Sequence, residues 1–450
     1  MSSAPRPARL APLLSLALAL ATVATAPVAQ SEWAPPVRAA PAAPVARAAP
    51  GDDLASLNDR ARAALEKNQP GEAVELLEKA LKLDPTQPVI RGNLAWAYFK
   101  RGQQSLADYR LDQAGADYKK AVELNPDESG YAMHLGQLLL RRYRLEEAEK
   151  VVRTLLERHP DALDGWLLLG DISSLQDDLP GAQQAYEKAA ASSDAELAAL
   201  ARTAADRTAR QYAVEKDYRT DTTPFFIIRG PSQSKGPLMS VRLANVLDRS
   251  RAEVCAALNV SPQRRATVVL YPPDAFRQVT GTHDWVGGLF DRKIRLPIDD
   301  VERDLPVIES AFRHEFTHLI VSELSPGCPV FLNEGLADVM GEGRGQGLAK
   351  LAAYLDAHGL ARDAVPSVTA LPASFMEIAD KDQVELAYLV SYAFVDHVVN
   401  FHGLGPVMDW VQDVGAHPVD EAYRAATGRT LADEEALFRD QLRHAGAPRR

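Results

Sequence analysis

His314, Glu315 and His318 stand as His-Glu-x-x-His inside AFRHEFTHLI, and sixteen residues later Glu334 opens the stretch Glu-Gly-Leu-Ala-Asp. Residues four apart lie on one face of a helix, one turn from each other. His314 and His318 can therefore aim two imidazoles at a single Zn²⁺, with Glu315 beside them to take a proton from a metal-bound water. Such an ion needs a third protein ligand and an open position, and Glu334 is the ligand available nearby. Asp338 follows Glu334 by one turn and is spaced to accept a hydrogen bond from a ligand histidine, fixing its ring.

The flanks say what carries these groups. Ala311, Phe312, Phe316, Leu319 and Ile320 surround the polar triplet with core-type side chains. That pattern sets a chemical face into an apolar domain, where two histidines and a glutamate are costly to bury without a role. Upstream, Pro224-Phe-Phe-Ile-Ile, Thr267–Tyr271 and Lys293–Pro297 read as strands, and Leu238–Leu258 reads as a helix. From about residue 300 the pattern is helical almost throughout. A small sheet followed by helices is α+β.

HEFTH followed by PVFLNEGLADVM resembles the gluzincin zinc metallopeptidases, in particular the bacterial peptidase MA-like domains. The resemblance covers about residues 220–445 and is specific at the two motifs. It implies a thermolysin-like fold, one Zn²⁺ per chain on His314, His318 and Glu334, Glu315 as general base, and Asp338 behind a ligand histidine. It also implies a donor to the oxyanion on a later helix. Tyr388 matches that position better, with Tyr392 one turn on as the alternative, whereas His397 and His402 read as surface or capping residues. In the family an edge strand before the first motif aligns substrate, a role that Lys293–Pro297 fits, and the preceding loop with Trp285, Gly287 and Gly288 reads as a connection or an active-site lip. Fifteen residues separate His318 from Glu334, fewer than in the thermolysin and aminopeptidase N groups, so the SELSPGC loop must be compact. No GxMEN-like exopeptidase signature is present, which favours an endopeptidase.

Residues 52–194 repeat. The ends KLDP, ELNP, ERHP and ASSD fall at Pro85, Pro126, Pro160 and Asp194, at intervals of 41, 34 and 34. A 34-residue period resembles tetratricopeptide repeats, here about four. Small residues such as Ala73, Ala148 and Ala182 permit close helix approach, and such pairs bury their apolar faces only by stacking into a solenoid. The concave face of that solenoid implies a peptide or protein partner.

The remaining features bound the class. Hydrophobic side chains make up 46% and charged ones 25%, which is ordinary globular composition. A net charge of −11 argues against nucleic acid as a partner. Arg6 and Arg9 precede the apolar run Leu10–Val23 and small residues, the pattern of a cleavable signal peptide. After cleavage no stretch is apolar enough to span a bilayer, so a periplasmic or secreted location is expected. Cys255 and Cys328 are the two cysteines; in an exported chain they either pair or remain separate thiols.

The expected organisation is multidomain: signal peptide 1–26, Ala/Pro-rich linker 27–50, an all-α tetratricopeptide solenoid at 51–215, and an α+β thermolysin-like metallopeptidase domain at 216–450. The expected function is an exported zinc metallopeptidase acting on peptide or protein substrates, its repeats holding substrate or partner. The alternative is a cell-envelope tetratricopeptide scaffold or assembly factor with a catalytically silent metallopeptidase-like domain.

Overall fold

The computed structural model describes residues 53–445 apart from 109, 233–240, 263, 282–287, 299–300, 326, 376–377, 379 and 415. The expected signal peptide and linker, and Trp285 and Gly287, lie outside the described residues.

Four helix hairpins fill the first part of the chain. They pair α1 (Leu54–Glu66) with α2 (Pro70–Leu83), α3 (Pro88–Ala107) with α4 (Leu111–Leu124), α5 (Ser129–Arg141) with α6 (Leu145–Arg158), and α7 (Leu163–Leu175) with α8 (Leu179–Ala189). Pro70 and Pro88 open their helices, where the missing N–H has no partner to lose. Among the described residues, three turns inside hairpins hold a residue in the left-handed region: Asn68 (φ 57°), Tyr143 (φ 55°) and Asp177 (φ 66°). The residue after each returns its N–H to the preceding helix: Gln69 to Ala64 C=O (2.8 Å), Arg144 to Leu139 C=O (2.8 Å) and Asp178 to Ser173 C=O (2.9 Å). This closes orphan carbonyls at the helix end and turns the chain back on itself.

Packing follows the same period. Ala73, Ala114, Ala148 and Ala182 occupy matching places on the second helix of each hairpin, and all are fully buried. A methyl group at Gly136 would lie 2.8 Å from Val152, so α5 and α6 approach closely there. One apolar cluster runs from Leu57 to Ala185 through the hairpins, as a helical solenoid requires. In the last hairpin the Tyr186 hydroxyl donates to Asp171 (2.8 Å). Burial pushes the Asp171 carboxyl up to about 6. Its folded value thus lies above the unfolded 3.8. Protonated Asp171 stabilises the fold fully below 3.8, and that contribution is lost as pH rises through about 6. Asp171→Asn should flatten the pH dependence of urea unfolding across this window; an unchanged slope would exclude Asp171 as its source.

The chain divides into two compact units, one ending at Ala209 and the other beginning at Arg210. The boundary lies within α9 (Ala195–Glu215), slightly before the position 215 expected from sequence.

The second unit contains β1 (Tyr218–Thr222), β2 (Phe226–Pro231), α10 (Val241–Leu258), β3 (Ala266–Tyr271), α11 (Pro273–Thr280), β4 (Leu289–Phe290) and β5 (Ile294–Pro297). Helices follow: α12 (Val301–Leu324), α13 (Val330–Glu342), α14 (Gly347–Ala357), α15 (Lys381–His402), α16 (Leu404–Asp413), α17 (Val419–Thr427) and α18 (Leu431–His444). The sheet order is β1-β2-β3-β5-β4. β2, β3 and β5 run parallel, and the crossovers that parallel pairing demands contain α10 and α11. Both sheet faces are covered. Val268 and Leu270 join the main core with Phe312 and Phe316 of α12, and Val269 and Tyr271 pack with Phe276 and Val279 of α11.

Two expectations are corrected here. Lys293–Pro297 was expected as an edge strand, but Ile294–Pro297 pairs with β3 on one side and β4 on the other. The edge belongs to Leu289–Phe290, a strand too short to show alternation in sequence. The thermolysin-like form implied by the resemblance is not shown; the unit is a set of helices with one small sheet. Among the described residues, no helix is long and apolar enough to cross a membrane.

Candidate metal centre

α12 and α13 are joined by a five-residue turn, 325–329, closed by Ser325 N–H on Val321 C=O (2.8 Å) and Cys328 N–H on Ser325 C=O (3.0 Å). The compact loop required by the short spacing is thus formed. The helices run antiparallel, as their side-chain contacts show. His318 meets Asn333, His314 meets Asp338, and Ser310 meets Gly341, one chain position rising as the other falls. This arrangement brings Glu334 to the two histidines.

The geometry is that of a donor set. His314 Nε2 and His318 Nε2 lie 2.9 Å apart. Glu334 Oε2 lies 3.6 Å from the first and 3.3 Å from the second. His314, Glu315, His318, Glu334 and Asp338 are all buried. His314 Nδ1–H donates to Asp338 Oδ1 (3.0 Å), and His318 Nδ1–H donates to Asn333 Oδ1 (3.0 Å). With both Nδ1 atoms donating, the neutral rings present their Nε2 lone pairs to each other and to the carboxylate. Glu334 Oε2 is buried and accepts no hydrogen bond among the described residues. Three lone-pair sites face to face in a buried pocket require a cation or added protons between them. Two imidazoles and one carboxylate are a donor set that suits zinc, with a fourth position open.

The electrostatics agree. Burial opposes a charge on His314, but Asp338 and Glu334 outweigh it and hold its pKa well above the usual imidazole range. Burial likewise opposes a charge on His318, and the Glu334 carboxylate overrides it. Burial raises the Glu334 carboxyl, yet the two histidines pull it below its ordinary value. Burial raises Asp338, and its bond to His314 only partly offsets this. Without metal the site therefore gathers protons, which a divalent ion entering there would displace. Asp338→Ala should weaken zinc binding about 10–100-fold, as measured by chelator competition; parent affinity in that variant would leave Asp338 without an orienting role.

Neighbouring elements set the other groups. A methyl group on Gly288, just before β4, would fall 2.7 Å from Glu315 Oε1, so the chain here closes directly over this carboxylate. The stretch read as a connection or lip is, at Gly288, a buried lining of the site. Tyr388 of α15 is buried against Phe375, their rings 5.0 Å apart. Burial raises its phenol well above 10, and Glu334, Asp338 and Glu315 raise it further. Tyr392 is committed elsewhere: its hydroxyl donates to Gly343 C=O (2.7 Å). Of the two tyrosines, Tyr388 is therefore the one that senses the carboxylates of both motif helices.

Sequence reasoning missed Asn333. Its signal was its place directly before Glu334, which on an antiparallel helix faces His318, the histidine nearer in the chain. The reading of His397 and His402 as surface or capping residues is corrected for His397. It is buried, with Nε2–H donating to Glu434 Oε1 (2.8 Å), and His402 donates to the other oxygen (3.1 Å). Glu434 comes from α18, a partner 37 and 32 residues away that spacing does not reveal. Cys255 and Cys328 are both free thiols packed against the main core, and burial pushes both thiols up.

Comparison with known proteins bears on the first unit. The tetratricopeptide repeat family model matches residues 64–104 and 105–172. Among curated proteins, protein O-mannosyl-transferase TMTC1 of Mus musculus is 38% identical over 66 residues, 15% of this chain and 7% of that protein. Its Homo sapiens counterpart is 30% identical over 90 residues, 20% of this chain and 10% of that protein. The chain thus spans a tenth or less of these relatives. Among solved structures, a crystal structure of MamA is 18% identical, with 31% of this chain and 77% of that chain covered at a TM-score of 0.25. A mutant O-GlcNAc transferase of Thermobaculum terrenum is 12% identical, with 87% and 92% covered at a TM-score of 0.23. The expectation of a zinc metallopeptidase is corrected by the curated relatives, which are named as transferases and not as peptidases. The gluzincin part of the resemblance gains no support from these matches, whereas residues 64–172 carry tetratricopeptide repeats.

Proposed function

We propose that this chain is an exported protein-interaction scaffold of the cell envelope, its tetratricopeptide repeats binding a protein partner and its second unit holding one zinc ion on His314, His318 and Glu334. The repeats support the scaffold, because stacked helix hairpins expose a concave face suited to a peptide segment. The observation that carries the zinc site is the convergence of two imidazole Nε2 atoms on a buried carboxylate oxygen that has no hydrogen-bond partner among the described residues. Zinc bound there supplies a positive charge with a fourth position open to a further ligand. In this reading Glu315 would hold a proton at that position and Tyr388 would donate to a ligand there.

Elemental analysis of the purified full chain should give one zinc per chain, and a metal-free product after zinc-supplemented expression would end the zinc reading. Quantitative co-purification from envelope extract should lose the partner when residues 52–194 are deleted. A partner retained by that deletion would remove the repeats from the binding role.

A further inference from the structure

The two helices that share the metal site are tied where the C-terminal end of α13 meets the middle of α12, beside His314. The last turn of a helix leaves carbonyls without partners, and its dipole favours a positive charge there. At the end of α13 both needs are met from α12. Arg313 Nε donates to Met340 C=O (3.1 Å) and its Nη2 to Gly341 C=O (3.5 Å), while Ser310 Oγ–H donates to the same Gly341 oxygen (3.0 Å). Arg313 is itself held by Glu309 (3.0 Å) on its own helix and Glu253 (3.3 Å) on α10. Glu309 is held in turn by Arg249 of α10 (2.8 Å). One guanidinium thus ties three helices.

The tie falls where spacing matters. A methyl group on Gly341 would lie 3.1 Å from both His314 Cβ and Ser310 C=O, so the helices approach within glycine distance beside the first ligand. Asp338 and Glu334 sit one and two turns back from this point on α13. Sliding α13 along α12 by a fraction of a turn would move Glu334 away from both Nε2 atoms.

The geometry points to Arg313 as a positioning residue of the metal centre, setting the register of α13 so that Glu334 completes the ligand set. This rests on the zinc reading above. Arg313 touches no ligand; it acts through the carbonyls of Met340 and Gly341. Its planar fork reaches two carbonyls and an acid together, which a lysine ammonium does not reproduce.

The test compares the full chain with Arg313→Ala, Arg313→Lys and Arg264→Ala. Arg264, in the stretch before β3, pairs with Glu323 (2.8 Å) near the C-terminal end of α12, so its variant controls for the loss of an arginine paired with that helix away from the Met340 and Gly341 carbonyls. Zinc affinity is read by chelator competition, and ligand geometry by the visible bands of the Co²⁺-loaded protein. Arg313→Ala should bind zinc about 10–100-fold more weakly, the range found for groups that orient ligands, with altered Co²⁺ bands. Arg313→Lys should fall between, and Arg264→Ala should match the parent. Parent affinity and bands in Arg313→Ala, or equal weakening in Arg264→Ala, would overturn the assignment. If Arg313→Ala does not fold, Gly341→Ala decides: weaker zinc binding with altered bands upholds the register argument, and parent behaviour overturns it. A parent chain that binds no zinc overturns the zinc reading itself and this inference with it.

Discussion

Zinc at about a thousand times its dissociation constant is expected to raise the unfolding free energy of the parent chain by about 4 kcal/mol and to leave His318→Ala unmoved. The gain arises because the metal binds the folded arrangement alone: His314, His318 and Glu334 are brought within reach of one ion by the pairing of two helices. Removing His318 leaves one imidazole and one carboxylate, too few to hold zinc in competition with water. His318→Ala also removes the bond to Asn333 and a buried partner of Glu334, so the metal-free chain should itself be less stable. Denaturant unfolding with and without zinc separates the two effects. An equal zinc gain in parent and variant would take His318 out of the ligand set.

Glu215→Ala is expected to cost about 3–5 kcal/mol, the range for breaking a buried ion pair by removing one partner. Glu215 ends α9 and is fully buried, with Arg229 Nη1 at 3.1 Å and Arg295 Nη1 at 3.2 Å. The Tyr271 hydroxyl donates to the same carboxylate. Truncation takes this carboxylate from Arg229 and leaves Asp291, at 2.9 Å, as the acid on Arg295. The exposed pair Arg110–Asp108 provides the contrast, since such pairs contribute about 1 kcal/mol or less. A Glu215→Ala loss no larger than that of Arg110→Ala would mean that water reaches the cluster and that it does not anchor α9 to the sheet.

The repeats were legible because their signal is local and recurs. An alanine at Ala73, Ala114, Ala148 and Ala182 marks each place where two helices touch, and stacking needs nothing distant in sequence. The motif residues were legible for a related reason: i to i+4 spacing puts His314 and His318 on one face whatever surrounds them. Two strands escaped: β4 has only two residues, too few to display a period, and β1, YRTDT, is mostly polar and shows no apolar alternation. The edge position of β5 was misjudged for the same reason, since its neighbour β4 is only two residues long. The peptidase assignment failed at a different point. It carried an activity across from a motif, and a motif describes a donor set, while activity depends on everything around it.

The sequence by itself determined the repeat period, the helix that carries two histidines, and the acids close enough to join them. These follow from bonding within a helix and from the burial of one face, both of which act over a few residues. Only the tertiary structure decided that Asn333 orients His318, that Gly288 closes over Glu315, that Tyr392 is spent on Gly343, that His397 is buried on Glu434, and that Arg313 caps α13. Each of these depends on which helix lies against which and in what register, and register is set by packing between segments far apart in the chain.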